Sequence, residues 1–333
     1  MPSRPFARLW VCGLWAIALG TACNSGQRAR DPAPAAEPAP IPIRLAAIGY
    51  TATLPPELRR AFDPAGFEPM PLPEADDWLA QHPEKPQSFD DYVRAAKPVP
   101  DATRKVIYLL PVGAFPATAP SLTQLAGIVH AFFMLEVRTL PTANVRAVGA
   151  KTRINVGTRK RQLFAPDVLA WLGKRLPEDA FGVVAVTMED LYPDPKWNFV
   201  FGMASLSNRV GVQSLARQDP AFFGEARPPG WQTIARRRAT WTLLHEISHM
   251  FGLTHCTYWR CVVAGANSQD EADRSPLHAC PVCLRKLHSA IEFDPAARED
   301  ALASAFGGLG IDDEAARSAS RAAWIRDGVP VVR

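Results

Sequence analysis

The segment Trp241–Cys256 constrains this chain most, because it reads WTLLHEISHMFGLTHC and carries three histidines at metal-ligand spacing. If the segment is a helix, His245 and His249 lie four residues apart on one face, with side chains about 5–6 Å from each other. Both imidazoles can then bind one zinc ion through nitrogen. Glu246 lies one step round the helix, where its carboxylate can reach a water on the metal without being a ligand.

The residues that follow this helix supply a third ligand. Gly252 suits the positive φ of a helix C-terminus, so the chain can turn there and bring His255 back towards the metal. Three protein ligands leave the fourth position for water, which is typical of a catalytic zinc site. The alternative is a pair of helical histidines without a metal, and the full pattern HExxHxxGxxH argues against it.

Four of the six cysteines form a second candidate metal site. Cys256 and Cys261 make one close pair, and Cys280 and Cys283 make the other. Four thiolates in two pairs can hold a tetrahedral structural zinc. The alternative is two short-loop disulfides, since exported proteins often oxidise their thiols. We predict zinc, because CxxC with an intervening Pro-Val is typical of a zinc knuckle.

The N-terminus predicts export. Arg4 and Arg8 precede an apolar run over residues 9–19, which is too short to span a bilayer and therefore indicates a signal peptide, residues 1–22. Cys23 follows where a bacterial lipobox places its lipidated cysteine, although Gly20 occupies the position of the expected large aliphatic residue. We predict a lipoprotein anchored to the cell membrane, at the outer membrane or the periplasmic face. The alternative is cleavage near Ala22, which gives a soluble periplasmic or secreted protein.

Composition separates residues 23–43 from the folded domain and argues against nucleic acid as a partner. The chain has 32 prolines in 333 residues, about twice the usual share, and five of them lie between Pro32 and Pro42. Such a stretch favours extended polyproline II, so residues 23–43 are predicted to be a tether and residues 44–333 the catalytic domain. The 37 basic and 33 acidic residues are too balanced for a nucleic-acid surface.

The pattern of the domain predicts an α/β fold. Continuous apolar runs at 105–112 and 181–188 are typical of strands buried on both faces. Further strands are predicted at 43–50, 197–202 and 209–216, helices at 121–135, 165–176 and 240–251, and a helical end from about residue 284. The region 198–216 can supply an edge strand that pairs with substrate backbone, or an internal strand. We expect His278 and His288 at the surface and Arg236–Arg238 at a solvated helix start.

The quoted motifs closely resemble the archaemetzincins, a family of metzincin-like zinc peptidases. The family signature is HExxHxxGxxHC, four residues, CxM and a later CxxC, and here the text is HEISHMFGLTHCTYWRCVV with CPVC further on. The segments at 76–92, 186–205 and 211–217 resemble the eukaryotic-type branch. The resemblance implies a zincin domain with a twisted mixed sheet and an HExxH active-site helix. It also implies two zinc ions: one catalytic on His245, His249 and His255, and one structural on the four cysteines.

The implied activity is hydrolysis of peptide bonds by zinc-activated water, with Glu246 as general base and an aminopeptidase-like preference. One position departs from the signature, because Val263 stands where the methionine of the Met-turn is expected. The alternative function is therefore a membrane-anchored zinc-binding protein with weak or no catalysis. The intact Glu246 argues against it, since a binding protein has no use for a base there.

Overall fold

The computed structural model describes residues 39–328, so the predicted signal peptide, Cys23 and most of the predicted tether lie outside the described residues. Eight strands are present there: β1 (Val106–Val112), β2 (Val137–Thr139), β3 (Thr152–Ile154), β4 (Arg161–Phe164), β5 (Ala180–Thr187), β6 (Asp190–Tyr192), β7 (Gly202–Ala204) and β8 (Val210–Ser214). Three of the helices lie between strands in the part of the chain from β1 to β5, which agrees with the predicted α/β class.

The helices of the described chain are α1 (Ile41–Ala47), α2 (Pro56–Ala61), α3 (Trp78–Gln81), α4 (Phe89–Arg94), α5 (Leu122–Phe133), α6 (Val145–Val148), α7 (Ala165–Gly173), α8 (Trp231–Met250), α9 (Gln269–Asp273), α10 (Pro281–Ile291), α11 (Pro295–Leu309) and α12 (Asp312–Asp327). Two short 3-10 helices, Ala216–Gln218 and Pro220–Phe223, precede α8. None of the helices in residues 39–328 is both long and apolar enough to cross a lipid bilayer.

The main sheet has the strand order β2-β1-β5-β8-β7. The first four strands are parallel and β7 pairs antiparallel with β8, which gives a mixed sheet with β7 at its edge. Strands β1 and β5 are buried along their whole length, as their continuous apolar runs predict. Within the region 198–216, β7 is therefore the edge strand and β8 is internal.

Successive side chains of β1 point to opposite faces of this sheet and enter two cores. Ile107 and Leu109 pack into the larger core with helices α5 and α8, whereas Tyr108 and Leu110 pack into the smaller one beneath α7. The larger core also contains Phe181 of β5. Helix α8 is thereby fixed across one face of the sheet, with its C-terminal end close to the edge strand.

A second, three-stranded sheet has the order β3-β4-β6 and lies beside the cleft described below. The Asp190 carboxylate, which is fully buried, accepts two hydrogen bonds from the Arg217 guanidinium, at 2.7 and 2.8 Å. The amide of Gln162 donates a third, at 2.8 Å. Arg217 lies 3.7 Å from the centre of the Phe199 ring, so the ion pair supports a residue of the cleft wall.

The predicted first strand at 43–50 is wrong, because the chain forms helix α1 there. Pro42 falls in the first turn of the helix, where its fixed φ is compatible with helix geometry and its missing N–H costs nothing. The Leu-Ala-Ala run that follows consists of strong helix formers, and Gly49 with φ 77° lies just beyond the end. Two carbonyls after the helix, of Ile48 and Tyr50, accept hydrogen bonds from Arg285 of α10.

The C-terminal part is helical from Pro281 onwards, close to the predicted start at residue 284. Helices α11 and α12 form a tightly packed hairpin whose turn contains Gly310 in the left-handed region, with φ 70°. Helix α11 also packs on α5, so the hairpin covers one side of the larger core. Helix α8, which carries His245 and His249, begins at Trp231, nine residues before the predicted start at Thr240.

Candidate metal centres and active site

The C-terminal half of α8 carries the histidine motif. Helix α8 ends at Met250, and Gly252 follows with φ 81°, which lets the chain reverse as the sequence predicts. Between them, Phe251 stacks on Phe181 with ring centroids 4.1 Å apart, and on Phe133 at 5.3 Å. This aromatic stack anchors the reversal in the larger core, and the returning chain carries His255 towards the helix.

The structure brings all three predicted histidines together. Their ligand atoms lie within 4.8 Å of one another, and the Nε2 atoms of His245 and His249 are 3.0 Å apart. A tetrahedral zinc with Zn–N bonds near 2.0–2.1 Å separates its nitrogen ligands by about 3.3–3.4 Å. The three side chains therefore fit a zinc ion after small adjustments.

Each histidine uses its other ring nitrogen for a hydrogen bond that fixes the ring. His245 Nδ1 donates to the carbonyl of Val262 at 2.9 Å, and His249 Nδ1 donates to that of Leu253 at 2.7 Å. His255 Nδ1 donates to a carboxylate instead. Because all three Nδ1 atoms are occupied as donors, all three Nε2 atoms are left as metal ligands. Burial lowers the pKa of His249 to about 4 and lowers that of His245, which keeps both imidazoles neutral and able to ligate.

Glu246 lies beside these ligands and is buried against the edge strand. Burial raises the pKa of its carboxyl to about 8, and a cation on the histidines would favour the ionised form. The neighbouring residue on the sheet is Gly202 of β7, where an added Cβ would lie 2.5 Å from Glu246 Oε1. The absence of a side chain at Gly202 therefore leaves the space that the carboxylate occupies.

Glu84 is a residue of the site that sequence reasoning missed. Its Oε1 atom accepts a hydrogen bond from His255 Nδ1 at 2.8 Å and a second from Trp78 Nε1 at 2.9 Å. Burial opposes ionisation, but the hydrogen bond and charge of His255 hold the pKa of Glu84 below its usual value. Glu84 is 171 positions from His255, and only the family resemblance of residues 76–92 marks its segment in the sequence.

The three histidines and Glu246 lie on a cleft of about 600 Å³. Strand β7 forms one side, and on its outer edge it pairs with no strand of the described chain. The walls are largely apolar and aromatic, lined by Trp78, Trp197, Phe199, Phe201, Met203 and Trp241. The predicted edge strand is thus present at 202–204, next to the candidate catalytic residues.

The four predicted cysteines also come together. All four are buried free thiols whose sulfur atoms lie within 4.8 Å of one another, and Cys256 Sγ is 3.5 Å from Cys280 Sγ. A disulfide needs about 2.05 Å, whereas sulfur ligands of a tetrahedral zinc are about 3.8 Å apart. Hydrogen bonds from the neighbouring thiols lower the pKa of Cys256. The arrangement matches a zinc site better than two disulfides.

The turn 261–263 connects the two clusters. Cys261 is a ligand candidate of the thiol cluster, and the carbonyl of Val262 accepts the hydrogen bond from His245. Val263 is fully buried, and its carbonyl accepts from the backbone N–H of Cys256 at 3.0 Å. Val263 therefore packs in the core at the position of the Met-turn methionine. Its backbone hydrogen bond also fixes Cys256, the first of the four cysteines.

Several other expected placements differ. The prediction of a surface position is wrong for both His278 and His288: the first bonds Glu314 and packs on Phe67, and the second packs between Phe62 and Phe293.

The expectation of a solvated helix start at Arg236–Arg238 is also wrong, since these residues lie inside α8. Arg236 donates to the carbonyl of Leu309, and the other two pair with Asp313 and Asp273. Three consecutive arginines in a sequence do not show whether their side chains form ion pairs or remain in solvent.

Comparisons with known proteins find related chains. Residues 173–289 match the model of peptidase family M54. Archaemetzincin-2 of Rattus norvegicus is 37% identical over 287 residues, which cover 77% of this chain and 79% of the relative. Archaemetzincin-1 of Mus musculus is 32% identical over 68% of this chain and 51% of its own length. The crystal structure of archaemetzincin from Methanopyrus kandleri aligns with a TM-score of 0.45 and 27% identity, over 59% of this chain and 99% of that one.

Archaemetzincin-2 of Rattus norvegicus thus exceeds 30% identity over more than two thirds of the chain. The chain belongs to the archaemetzincin family and is a zinc metallopeptidase, a hydrolase that acts on peptide or protein substrates.

Proposed function

We propose that Glu246 is the general base of this peptidase, with His245, His249 and His255 as ligands of a catalytic zinc. The observation that carries the proposal is the convergence of three Nε2 atoms beside a buried carboxylate at one side of an open cleft. Zinc, when bound there, supplies a Lewis acid that activates water and polarises the scissile carbonyl.

The residues of the chain perform the remaining tasks. The Glu246 carboxylate accepts the proton of the attacking water and passes it to the leaving amine. The outer edge of β7 offers backbone N–H and C=O groups to an extended substrate, which can pair with it as an added strand. The aromatic walls offer apolar surface to the side chains of a substrate. An aminopeptidase-like preference remains part of the proposal from family resemblance.

We test the base with Glu246→Ala in the purified protein, using a peptide library with free and blocked N-termini. Cleavage is expected to fall by a factor of 10² to 10⁴ while the zinc content stays the same. A preference for free N-termini would support exopeptidase action. Unchanged cleavage by Glu246→Ala would remove the assigned base. Very slow cleavage by the native protein would favour the alternative, a zinc-binding protein with weak catalysis, for which Val263 is the sequence argument.

We propose two zinc ions per chain, the second held by Cys256, Cys261, Cys280 and Cys283. The support is the separation of the sulfur atoms and the burial of all four thiols. Metal analysis is expected to give two zinc per chain. One zinc per chain with no titratable thiols would indicate disulfides instead.

We also propose export and anchoring, on the sequence of the N-terminus alone. Residues 1–22 act as a lipoprotein signal, Cys23 carries the lipid, and residues 23–43 tether the domain 44–333 to the membrane. Helix α1 begins at Ile41, so the extended part of the tether ends by that residue. Metabolic palmitate labelling that disappears in Cys23→Ser is the expected result. A label that persists in the variant contradicts anchoring through Cys23 and leaves a soluble periplasmic or secreted protein as the alternative.

A further inference from the structure

We propose that Glu84 is a positioning residue for the third zinc ligand: its carboxylate fixes the tautomer and orientation of His255. The inference rests on the zinc site of the proposed function. It assigns a role to residues 78–92, which lie outside the segment 173–289 that matches the family model.

The contacts of Glu84 are directed at His255 from a fixed position. Both carboxylate oxygens lie within hydrogen-bond distance of His255 Nδ1, at 2.8 and 3.0 Å. Trp78 Nε1 donates to Oε1 at 2.9 Å, and the Trp78 ring also meets the His255 ring edge-on, with centroids 5.1 Å apart. The backbone N–H of Trp78 is in turn bound by the Glu271 carboxylate at 2.9 Å. The Glu84 carboxylate therefore has a second donor at Oε1 and cannot swing away from His255 without breaking that contact as well.

The three candidate ligands differ in their outer partners. The partners of His245 and His249 are the neutral backbone carbonyls of Val262 and Leu253, which lie within 17 residues along the chain. The partner of His255 carries a full negative charge. A carboxylate that accepts the outer N–H of a metal-bound imidazole raises the basicity of the ligand and fixes its orientation. The orientation of His255, and with it the affinity of the site for zinc, therefore depends on a residue 171 positions away in the chain.

The same segment also holds the backbone of the turn that carries His255. Tyr92 donates its hydroxyl hydrogen bond to the carbonyl of Phe251 at 2.9 Å. The amide of Gln87 donates to the carbonyl of Gly252 at 3.2 Å and accepts from the N–H of Thr254 at 3.3 Å. Three backbone groups of the turn are thus bound by side chains about 160 residues earlier, next to the Glu84–His255 bond.

The test measures zinc affinity by chelator competition in the full protein, with Glu84→Gln as the main variant. The amide keeps the shape of the side chain and can still accept one hydrogen bond, but it loses the charge. We expect zinc to bind the histidine site 10- to 100-fold more weakly, with a shifted absorption spectrum of the cobalt-substituted site. The cysteine site in the same molecule serves as an internal control, and Glu74→Gln removes an exposed charge just before this segment.

Three outcomes would overturn the proposal. The first is a zinc affinity within twofold of the native value with an unchanged cobalt spectrum. The second is equal weakening at both metal sites, which would indicate a general loss of structure. The third is an equal effect of Glu74→Gln. If Glu84→Gln does not fold, Glu84→Asp keeps the charge and shortens the side chain, and a selective loss of zinc affinity at the histidine site supports the proposal. The affinity measurement is independent of peptide cleavage, so failure of the assigned base leaves this result interpretable.

Discussion

Replacement of Gly202 by alanine is expected to disable the protein without touching a metal ligand. The added Cβ would lie 2.5 Å from Glu246 Oε1, 2.7 Å from Cγ and 2.8 Å from Cδ, whereas ordinary contacts of a Cβ lie at 3.4–4 Å. Either the carboxylate or the edge strand must move by about 1 Å to restore normal contact. Glu246 is buried against β7 and its open side is the cleft, so a carboxylate that is pushed off β7 leaves its present position beside the histidines.

A displacement of about 1 Å at a catalytic group costs roughly 10²-fold in rate, which corresponds to about 2.7 kcal/mol of barrier. We therefore expect kcat/KM for a peptide substrate to fall by about two orders of magnitude in Gly202→Ala. The zinc content is expected to remain that of the native protein, since the histidine ligands keep their partners. Steady-state cleavage and metal analysis on the same preparation measure both quantities.

Gly211→Ala is the matched control, because Gly211 lies on the adjacent strand β8 and its added Cβ would meet its neighbours at 3.5 Å. This variant should keep activity within a few-fold of the native value. Activity of Gly202→Ala within threefold of native would refute the reasoning, because a base that tolerates such a shift is not the group that moves the proton. Equal losses in both variants would indicate a general effect on the sheet.

Three further predictions concern the metal sites and the fold. Cys280→Ser should reduce the zinc content from two ions to one and lower the melting temperature, as metal analysis and calorimetry would measure; unchanged zinc content would contradict a four-cysteine site. Hydrogen bonds and charge from His278 outweigh burial and lower the pKa of Glu314 to about 2, so its contribution to stability is present above pH 4.5 and is lost as the pH falls towards 2. The advantage of the native protein over Glu314→Gln in urea unfolding should therefore shrink by about 2 kcal/mol between pH 6 and pH 3, and a constant difference would contradict the lowered pKa. Asp190→Ala should cost about 3–5 kcal/mol in the same measurement, because it leaves the Arg217 charge buried without its partner; a cost below 1 kcal/mol would contradict this.

The sequence predicts most of the residues that the structure brings together at the two clusters. His245, His249, His255 and the cysteines lie in one local segment, so helical geometry and pair spacing are sufficient to group them. The buried strands at 105–112 and 181–188 are predicted for a similar reason, since a continuous apolar run leaves few alternatives.

Features that depend on distant contacts could not be predicted. Glu84 meets His255 only after the chain has folded, and no local pattern marks it as different from other acidic residues. Gly202 matters because Glu246 of α8 lies opposite it, and the sequence does not show that these two residues meet. The segment at 43–50 was predicted as a strand because apolar residues dominate it, and its helix depends on Pro42 and on the neighbouring α10.

His255 and Cys256 are consecutive residues, so a single peptide bond separates a candidate ligand of one zinc from a candidate ligand of the other. In an oxidising compartment, a disulfide that included Cys256 would shorten a sulfur separation from 3.5 Å to about 2.05 Å and pull on that peptide bond. The histidine next to it would move with the backbone. Oxidation of the thiol cluster would thus change the position of a candidate zinc ligand in the other cluster, and a reductant that cleaves the disulfide would reverse the change.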